Sequence, residues 1–388
     1  MTDFSPLFEP LHFGGHTLRN RIVMSPMTRE LGEDGYLPDD AVEYYRARAA
    51  GGVGLIVTEA TTIDHEVAHY STTEPYMFGK ERIAGWKTVV DAVHAEGAAI
   101  YPQLWHTGIT RKRKKTHNPD VLSIGPTSLS SAELSAGDGE SLPASRSGVL
   151  PREMTEADIR DVILAFGEAA YQSQQAGFDG IAIHGGHGYI IFQFMWERSN
   201  RRTDGYGGSI EARARFANEV VAEIRRRTGP DFPIMFRFSQ WSGWDYKAKV
   251  AQNPAELERI LLPLSDAGVD IFDASTRRFW IPEFEGSDLN LAGWAKKITG
   301  KPTMTVGSVT LESPLGESNV VRADTAATRE NMDKLMAMLK RGDFDLVGVG
   351  RALLANPNWA HIIREGRLGD LRTYDASEFQ KKKLGNQP

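Results

Sequence analysis

The sequence predicts an α/β fold, a (β/α)8 TIM barrel with loop insertions after strands 3, 4 and 6. Three observations predict it. Short β-branched runs recur about eight times along the 388 residues, each followed by a longer stretch of helical periodicity. The runs are apolar nearly throughout, as a parallel sheet covered by helices requires. Polar residues gather at their carboxyl ends, where a barrel of this kind carries its reactive groups. The rival is an open doubly wound sheet, which usually bears a glycine-rich dinucleotide turn after its first strand; "SPMTRELGEDG" (25–35) is not one.

In chain order, "RIVMSPM" (21–27) reads as the first strand and leads to a helix near "DDAVEYYRARAAG" (39–51). "VGLIVTEA" (53–60) leads to "ERIAGWKTVVDAVHAEG" (81–97). "AAIYPQLW" (98–105) is followed by a polar insertion (106–152) and then "TEADIRDVILAFGEAAYQSQQAG" (155–177). At the start of that helix, Thr155 with Glu156 fits an N-terminal cap with acid in the first turn. "FDGIAIHG" (178–185) precedes a second insertion and "SIEARARFANEVVAEIRRRTG" (209–229). "FPIMFRFS" (232–239), "VDIFDAST" (269–276), "KPTMTVGS" (301–308) and "FDLVGVGR" (344–351) complete the strands. Helices are expected near 254–267, 289–299, 326–341 and 356–366. Neither a short repeat nor a linker divides the chain, so one domain over 1–388 is expected.

Composition narrows the chemistry. There is no cysteine, which removes disulfides, thiolate metal sites, cysteine-ligated iron–sulfur clusters and cysteine nucleophiles together. A net charge of −6 gives no reason to expect nucleic acid as partner. The first residues, "MTDFSPLFEP", lack the pattern of a signal peptide, and runs such as "VGLIV" (53–57) fall far short of the roughly 20 residues a membrane helix needs. A soluble, cytoplasmic protein is expected. The basic run "RKRKK" (111–115) could be an anion or nucleic-acid patch, but reads better as a solvated loop. The stretch "TRRFWIPEFEGSD" (276–288) combines aromatics with charges, as part of a lid would.

The residues at the predicted strand ends are Thr28, Glu59 with Ala60, Gln103 with Trp105, His184, Arg237, Asp273 with Ser275, Gly307 with Ser308, and Gly350 with Arg351, most of them polar. The glycine turns "VGSV" (306–309) and "VGVGR" (347–351) follow strands seven and eight, the barrel's frequent phosphate site; plain tight turns are the alternative. "HGGHGYIIFQF" (184–194) sets two histidines and a tyrosine on a glycine-rich stretch. Histidines three apart could bind a metal, but no third ligand is apparent nearby, and no metal is expected.

Four segments together resemble the Old Yellow Enzyme family of flavin-dependent ene-reductases: "LRNRIVMSPMTR" (18–29), "QLWHTG" (103–108), "HGGHGYIIFQFMWERSNRRTDGYGGSIEARARF" (184–216) and "VGVGRALLANPNW" (347–359). The resemblance implies FMN held noncovalently at the barrel mouth, with NADH or NADPH as reductant. By motif match Pro26, Met27, Thr28, Ala60, Gln103, Arg237, Gly307, Ser308, Gly350 and Arg351 would line it. Thr28 would donate to the flavin O4. Gln103 would meet the pyrimidine edge, which needs both a donor and an acceptor. Arg237 would place positive charge near N1 and O2, unless it is simply a structural ion pair at a strand end. Arg351 and the glycine amides would take the phosphate.

The same resemblance makes His184 and His187 donors to a substrate carbonyl oxygen, Tyr189 the acid that protonates the α-carbon, and Trp105 a wall of the substrate space. The implied reaction is reduction of the activated C=C bond of an α,β-unsaturated carbonyl or nitro compound. The alternatives are other redox work on a related flavin barrel, such as amine demethylation or nitrate-ester cleavage, and a non-enzymatic flavin or phosphate-ligand binding protein. The partner is a small molecule, with the chain a monomer or homo-oligomer. "FSQWSGWDYKAKVAQ" (238–252) departs from the family's pattern, and its Trp241 and Trp244, with Phe279 and Trp280, are read as possible pocket walls. Near the C-terminus, Gln380 stands where the family has tyrosine.

Overall fold

A computed structural model describes residues 2–134, 149–311, 320–321 and 325–377. Gln380 and part of the first insertion lie outside the described residues. Eight parallel strands close into a barrel in chain order: β1 (Ile22–Met24), β2 (Leu55–Thr62), β3 (Ala99–Trp105), β4 (Ile181–His184), β5 (Ile234–Phe238), β6 (Ile271–Ser275), β7 (Thr303–Val306) and β8 (Leu346–Val349). β8 returns to β1 with Val349 opposite Met24. Outside run α1 (Ala41–Ala50), α2 (Lys80–Ala95), α3 (Glu156–Gln175), α4 (Ile210–Thr228), α5 (Pro254–Ala267), α6 (Leu291–Thr299) and α7 (Ala326–Arg341). Among the described residues no helix is long and apolar enough to cross a membrane.

The continuous apolar strands have a simple cause. Alternate residues face opposite ways, and here both directions are dry. Leu55 and Val57 join the cluster inside the barrel, while Ile56 joins the layer under the helices with Trp86, Val89 and Val93 of α2. An antiparallel hairpin, Leu11–Phe13 with His16–Leu18, closes the amino-terminal end. Its Leu11 and Leu18 pack against Leu55, Ile271 and Leu346, the first residues of three strands. The cue for this unexpected hairpin was Gly14–Gly15, both at positive φ, the two-residue turn that matches strand twist.

Several boundaries differ from expectation. β1 stops at Met24, because Pro26 has no N–H to give a ladder. β2 runs to Thr62, past the expected end at Ala60. Its pairing jumps from Val57 opposite Tyr101 to Ala60 opposite Gln103, a one-residue bulge. The Thr58 hydroxyl fills the gap by accepting from Gln103 N at 3.2 Å. Thr155 caps α3 with Glu156 in the first turn, as expected, and Asp158 in addition closes a capping box. An unexpected short helix, α8 (Arg351–Ala355), precedes Pro357, and the helix expected over 356–366 is the shorter α9 (Trp359–Arg364), which starts beyond that proline.

The basic run is no uniformly solvated loop. Arg111 is buried and donates to Val121 O, Thr116 Oγ1 and Asn118 O at 2.8, 2.8 and 3.0 Å. Lys114 and Lys115 alone are exposed. The stretch after β6 is stitched to the end of β7: Phe279 N donates to Gly307 O, and Ser308 Oγ to Arg277 O.

Candidate active site

The carboxyl ends of the strands share one rim. His184 ends β4, and the chain then swings toward β5 through Gly185 N to Arg237 O at 2.7 Å. That approach demands glycine: a Cβ at 185 would sit 2.5 Å from the Phe236 ring. His187 takes a left-handed conformation, φ 62°, uncommon for a residue with a side chain. Ser239 Oγ accepts from His187 N at 2.9 Å, and Gly243 N donates to His187 O at 3.1 Å. Tyr189 caps the short helix Ile190–Met195, whose buried Gln193 donates to Gly188 O and Thr107 O and accepts from Ile109 N.

This backbone brings the predicted rings together. His184 lies 5.0 Å from His187 and 4.8 Å from Tyr189 between ring centres, both pairs close to perpendicular. Trp105 meets Tyr189 edge-on at 4.8 Å. Trp241 stacks on His187 at 4.4 Å. Trp244 instead is fully buried behind Gly188, and Phe279 is buried with Trp280 against it at 5.1 Å.

The electrostatics suit donors of hydrogen. Burial, then the neighbouring His187 and Arg237, hold His184 well below the ordinary imidazole range. Burial and Arg237 push His187 down to about 3. Burial raises the Tyr189 phenol well above its ordinary value, helped by Tyr70 and Glu74. At neutral pH both imidazoles are therefore uncharged and the phenol keeps its proton.

Arg237 does form the ion pair, with Nε 2.5 Å from Asp273 Oδ2, both side chains buried. Its Nη2 is nevertheless left without a hydrogen-bond partner, and so is Gln103 Nε2. Two buried donors lacking acceptors each cost about 1–3 kcal/mol. Both stand at the rim, and the polar edge of a flavin offers the acceptors they lack, so the donor set fits FMN. Ala60 is buried nearby, Pro26 and Met27 are half-buried and Thr28 is exposed. Met27 Sδ lies 3.6 Å from the Cβ position of Gly350. Gly307 is at φ 148°, and a Cβ there would meet Thr276 O at 2.6 Å. Ser308, at φ 56°, spends its hydroxyl on Arg277 O at 3.0 Å, so only its backbone faces outward chemistry. Arg351 opens α8 beside Tyr374.

Other contributors were not assigned roles from sequence. Tyr70, from the loop after β2, clusters with Ala60, Trp105 and Tyr189, and nothing local marks it. Asp273 and Ser275 alternate on β6 and reach Arg237 and His187; their spacing by two was the available signal. Buried Arg29 holds Glu59 at 3.2 Å and anchors the loop carrying Pro26, Met27 and Thr28. Among the described residues no three His, Asp or Glu side chains converge as a metal site.

The chain matches the NADH:flavin oxidoreductase / NADH oxidase family over residues 6–369. It is 34% identical over 381 residues to an NADH oxidase of Thermoanaerobacter brockii, covering 96% of this chain and 52% of that protein. It therefore spans about half the length of that relative. It is 30% identical over 385 residues to the aldehyde reductase FrzD of Cladobotryum sp, covering 98% of this chain and 92% of the other. To 12-oxophytodienoate reductase 2 of Arabidopsis thaliana it is 31% identical over 367 residues, covering 91% and 87%. Among solved structures, morphinone reductase in complex with tetrahydroNAD superposes with a TM-score of 0.76 at 28% identity, covering 96% of this chain and 93% of that one. Old Yellow Enzyme from Pichia sp. AKU4542 gives 0.77 at 26%, covering 96% and 90%. The chain belongs to the NADH:flavin oxidoreductase / NADH oxidase family, the Old Yellow Enzyme family of barrels that use FMN with NADH or NADPH.

Proposed function

We propose that this chain is an ene-reductase, reducing the activated C=C bond of α,β-unsaturated carbonyl or nitro compounds. The observation that carries the reading is the grouping at the rim of two neutral imidazoles and one protonated phenol, with the His187 and Tyr189 rings each within 5.0 Å of the His184 ring. The Arabidopsis relative, named for reduction of an unsaturated oxo acid, supports it. When bound, FMN would supply the hydride, with NADH or NADPH as the reductant.

The chain's own residues do the rest. His184 and His187 donate to the substrate oxygen and stabilise the negative charge that develops there. Neutral imidazoles suit this task, since each keeps an N–H. Tyr189 holds the proton for the α-carbon, and burial keeps it in place until it is needed. Trp105 and Tyr70 enclose that space and exclude water. Pro26, Met27, Thr28 and Ala60 would border the ring system, Gln103 its pyrimidine edge and Arg237 the N1 and O2 side. Gly307, Ser308, Gly350 and Arg351 would take the phosphate, Ser308 through its backbone.

Anaerobic mixing tests this. FMN-loaded enzyme bleached by NADH or NADPH should regain its yellow colour with cyclic enones, maleimides or nitroalkenes and release the saturated product. Reoxidation by oxygen but by none of these acceptors would overturn the reading.

A further inference from the structure

We propose that Ser275 is a positioning residue that holds His187 in the tautomer with its proton on Nδ1, and that the loop 239–245 locks the ring in that setting. The inference rests on the ene-reductase reading for its consequence, but not for its geometry.

Ser275 Oγ lies 2.8 Å from His187 Nε2. Either atom could in principle supply the proton. The Ser275 side chain is buried, and among the described residues His187 is its one hydrogen-bond partner. Were Nε2–H the donor, the hydroxyl proton would be left in a dry place without an acceptor, which is costly. Donation from the hydroxyl to Nε2 satisfies both groups and leaves the imidazole proton on Nδ1. An uncharged ring, which burial favours here, carries only that one proton.

His184 is set the opposite way. Gly186 N donates to His184 Nδ1 at 3.4 Å, which places that ring's proton on Nε2. The two rings stand at 85° with centres 5.0 Å apart. One offers Nε2–H and the other Nδ1–H, two donors for one oxygen. A flipped His187 would turn a lone pair toward that oxygen instead.

The locking parts come from the segment that departs from the family's pattern. Ser239 Oγ accepts from His187 N and donates to Trp241 O at 2.7 Å. The Trp241 ring stacks on the His187 ring, and Trp241 Nε1 donates to Ser275 O at 3.2 Å. His187, Trp241 and Ser275 thus close a triangle in which ring plane and ring proton are both set.

The test is a long-range proton–nitrogen NMR correlation on 15N-histidine-labelled, FMN-loaded enzyme without substrate at pH 7.5. His187 is assigned by difference with His187→Gln. The expected result is a pyrrole-like Nδ1 and a pyridine-like Nε2 in the wild type. Ser275→Ala should shift the ring toward Nε2–H, Ser275→Thr should restore the wild-type pattern, and enone reduction should follow the tautomer. That loss should lie between about tenfold and a hundredfold, less than for an oxyanion donor deleted outright. A wild-type His187 protonated on Nε2, or a Ser275→Ala spectrum identical to wild type, overturns the proposal. The wild-type spectrum alone can decide it, whatever the variant's folding. Because it needs no substrate, an enzyme inert toward enones yet carrying Nδ1–H would end the ene-reductase reading and leave this one standing.

Discussion

Arg237 and Asp273 sit directly opposite one another on β5 and β6, and the Arg237 Nε meets the Asp273 carboxylate at 2.5 Å in the buried rim of the barrel. The pair leaves one guanidinium nitrogen and one carboxylate oxygen unspent. Asp273 therefore offsets part of a charge that the flavin edge would otherwise feel in full. Replacing Asp273 by Asn strands that charge. The variant should lose roughly 3 kcal/mol of stability, as broken buried pairs do, read from urea unfolding of the holoenzyme. Its flavin midpoint potential should move positive, because the reduced flavin gains negative charge beside an uncompensated arginine. An unchanged potential would show that Arg237 does not face the flavin.

Tyr189→Phe removes the phenolic proton while keeping the ring that meets Trp105. Turnover with enones should fall by about 10²- to 10⁴-fold, the usual worth of a positioned acid. Reduction of the flavin by NADH or NADPH should stay within about twofold, since that half-reaction needs no proton from this group. Stopped-flow absorbance separates the two. Equal losses in both half-reactions would assign Tyr189 to packing instead.

Stability should depend on acid through the buried imidazoles. The folded-state value of His187 is depressed from 6.5 to about 3, and His184 also lies well below 6.5. Between pH 6.5 and 3 the unfolded chain therefore binds protons that the folded chain refuses. Stability is full above pH 6.5 and is lost as the pH falls through that window. In His187→Gln the slope of unfolding free energy near pH 5 should be smaller by about 1.4 kcal/mol per pH unit, the weight of one proton. Urea titrations at several pH values check this, and an unaltered slope would mean that His187 titrates normally.

Within "RKRKK", residues of one charge should behave oppositely. Arg111→Ala removes the donor to Asn118 O and Thr116 Oγ1 and one of the two donors to Val121 O in a half-buried turn and should cost about 1–3 kcal/mol. Lys114→Ala, on the exposed side, should change stability by less than about 0.5 kcal/mol. Thermal melts of the two variants make the comparison.

Much of this protein was legible in the chain. Apolar runs of strand length alternating with amphipathic helices specify a closed parallel barrel, because only strands buried on both faces tolerate apolar residues in both directions. Polar residues at the ends of those runs, such as His184, Arg237 and Arg351, could be placed at the rim by counting, and the glycine-rich loop marked where His187 and Tyr189 would meet His184. The ends of β2 and of α9 lay within a few residues of where periodicity put them, whereas the bulge in β2 did not show in the periodicity.

What periodicity cannot carry is which side chains meet across the rim. Tyr70 reaches Trp105 from a loop with no pattern of its own. Trp241 and Ser275 converge on His187 from two different strand ends, and Arg111 is buried inside a run that reads as solvated. Sequence by itself determined the barrel and the inventory of reactive groups, since both follow from local pattern. Tertiary structure alone decided their partners, protonation and tautomers, because these depend on burial and on hydrogen bonds between residues tens of positions apart.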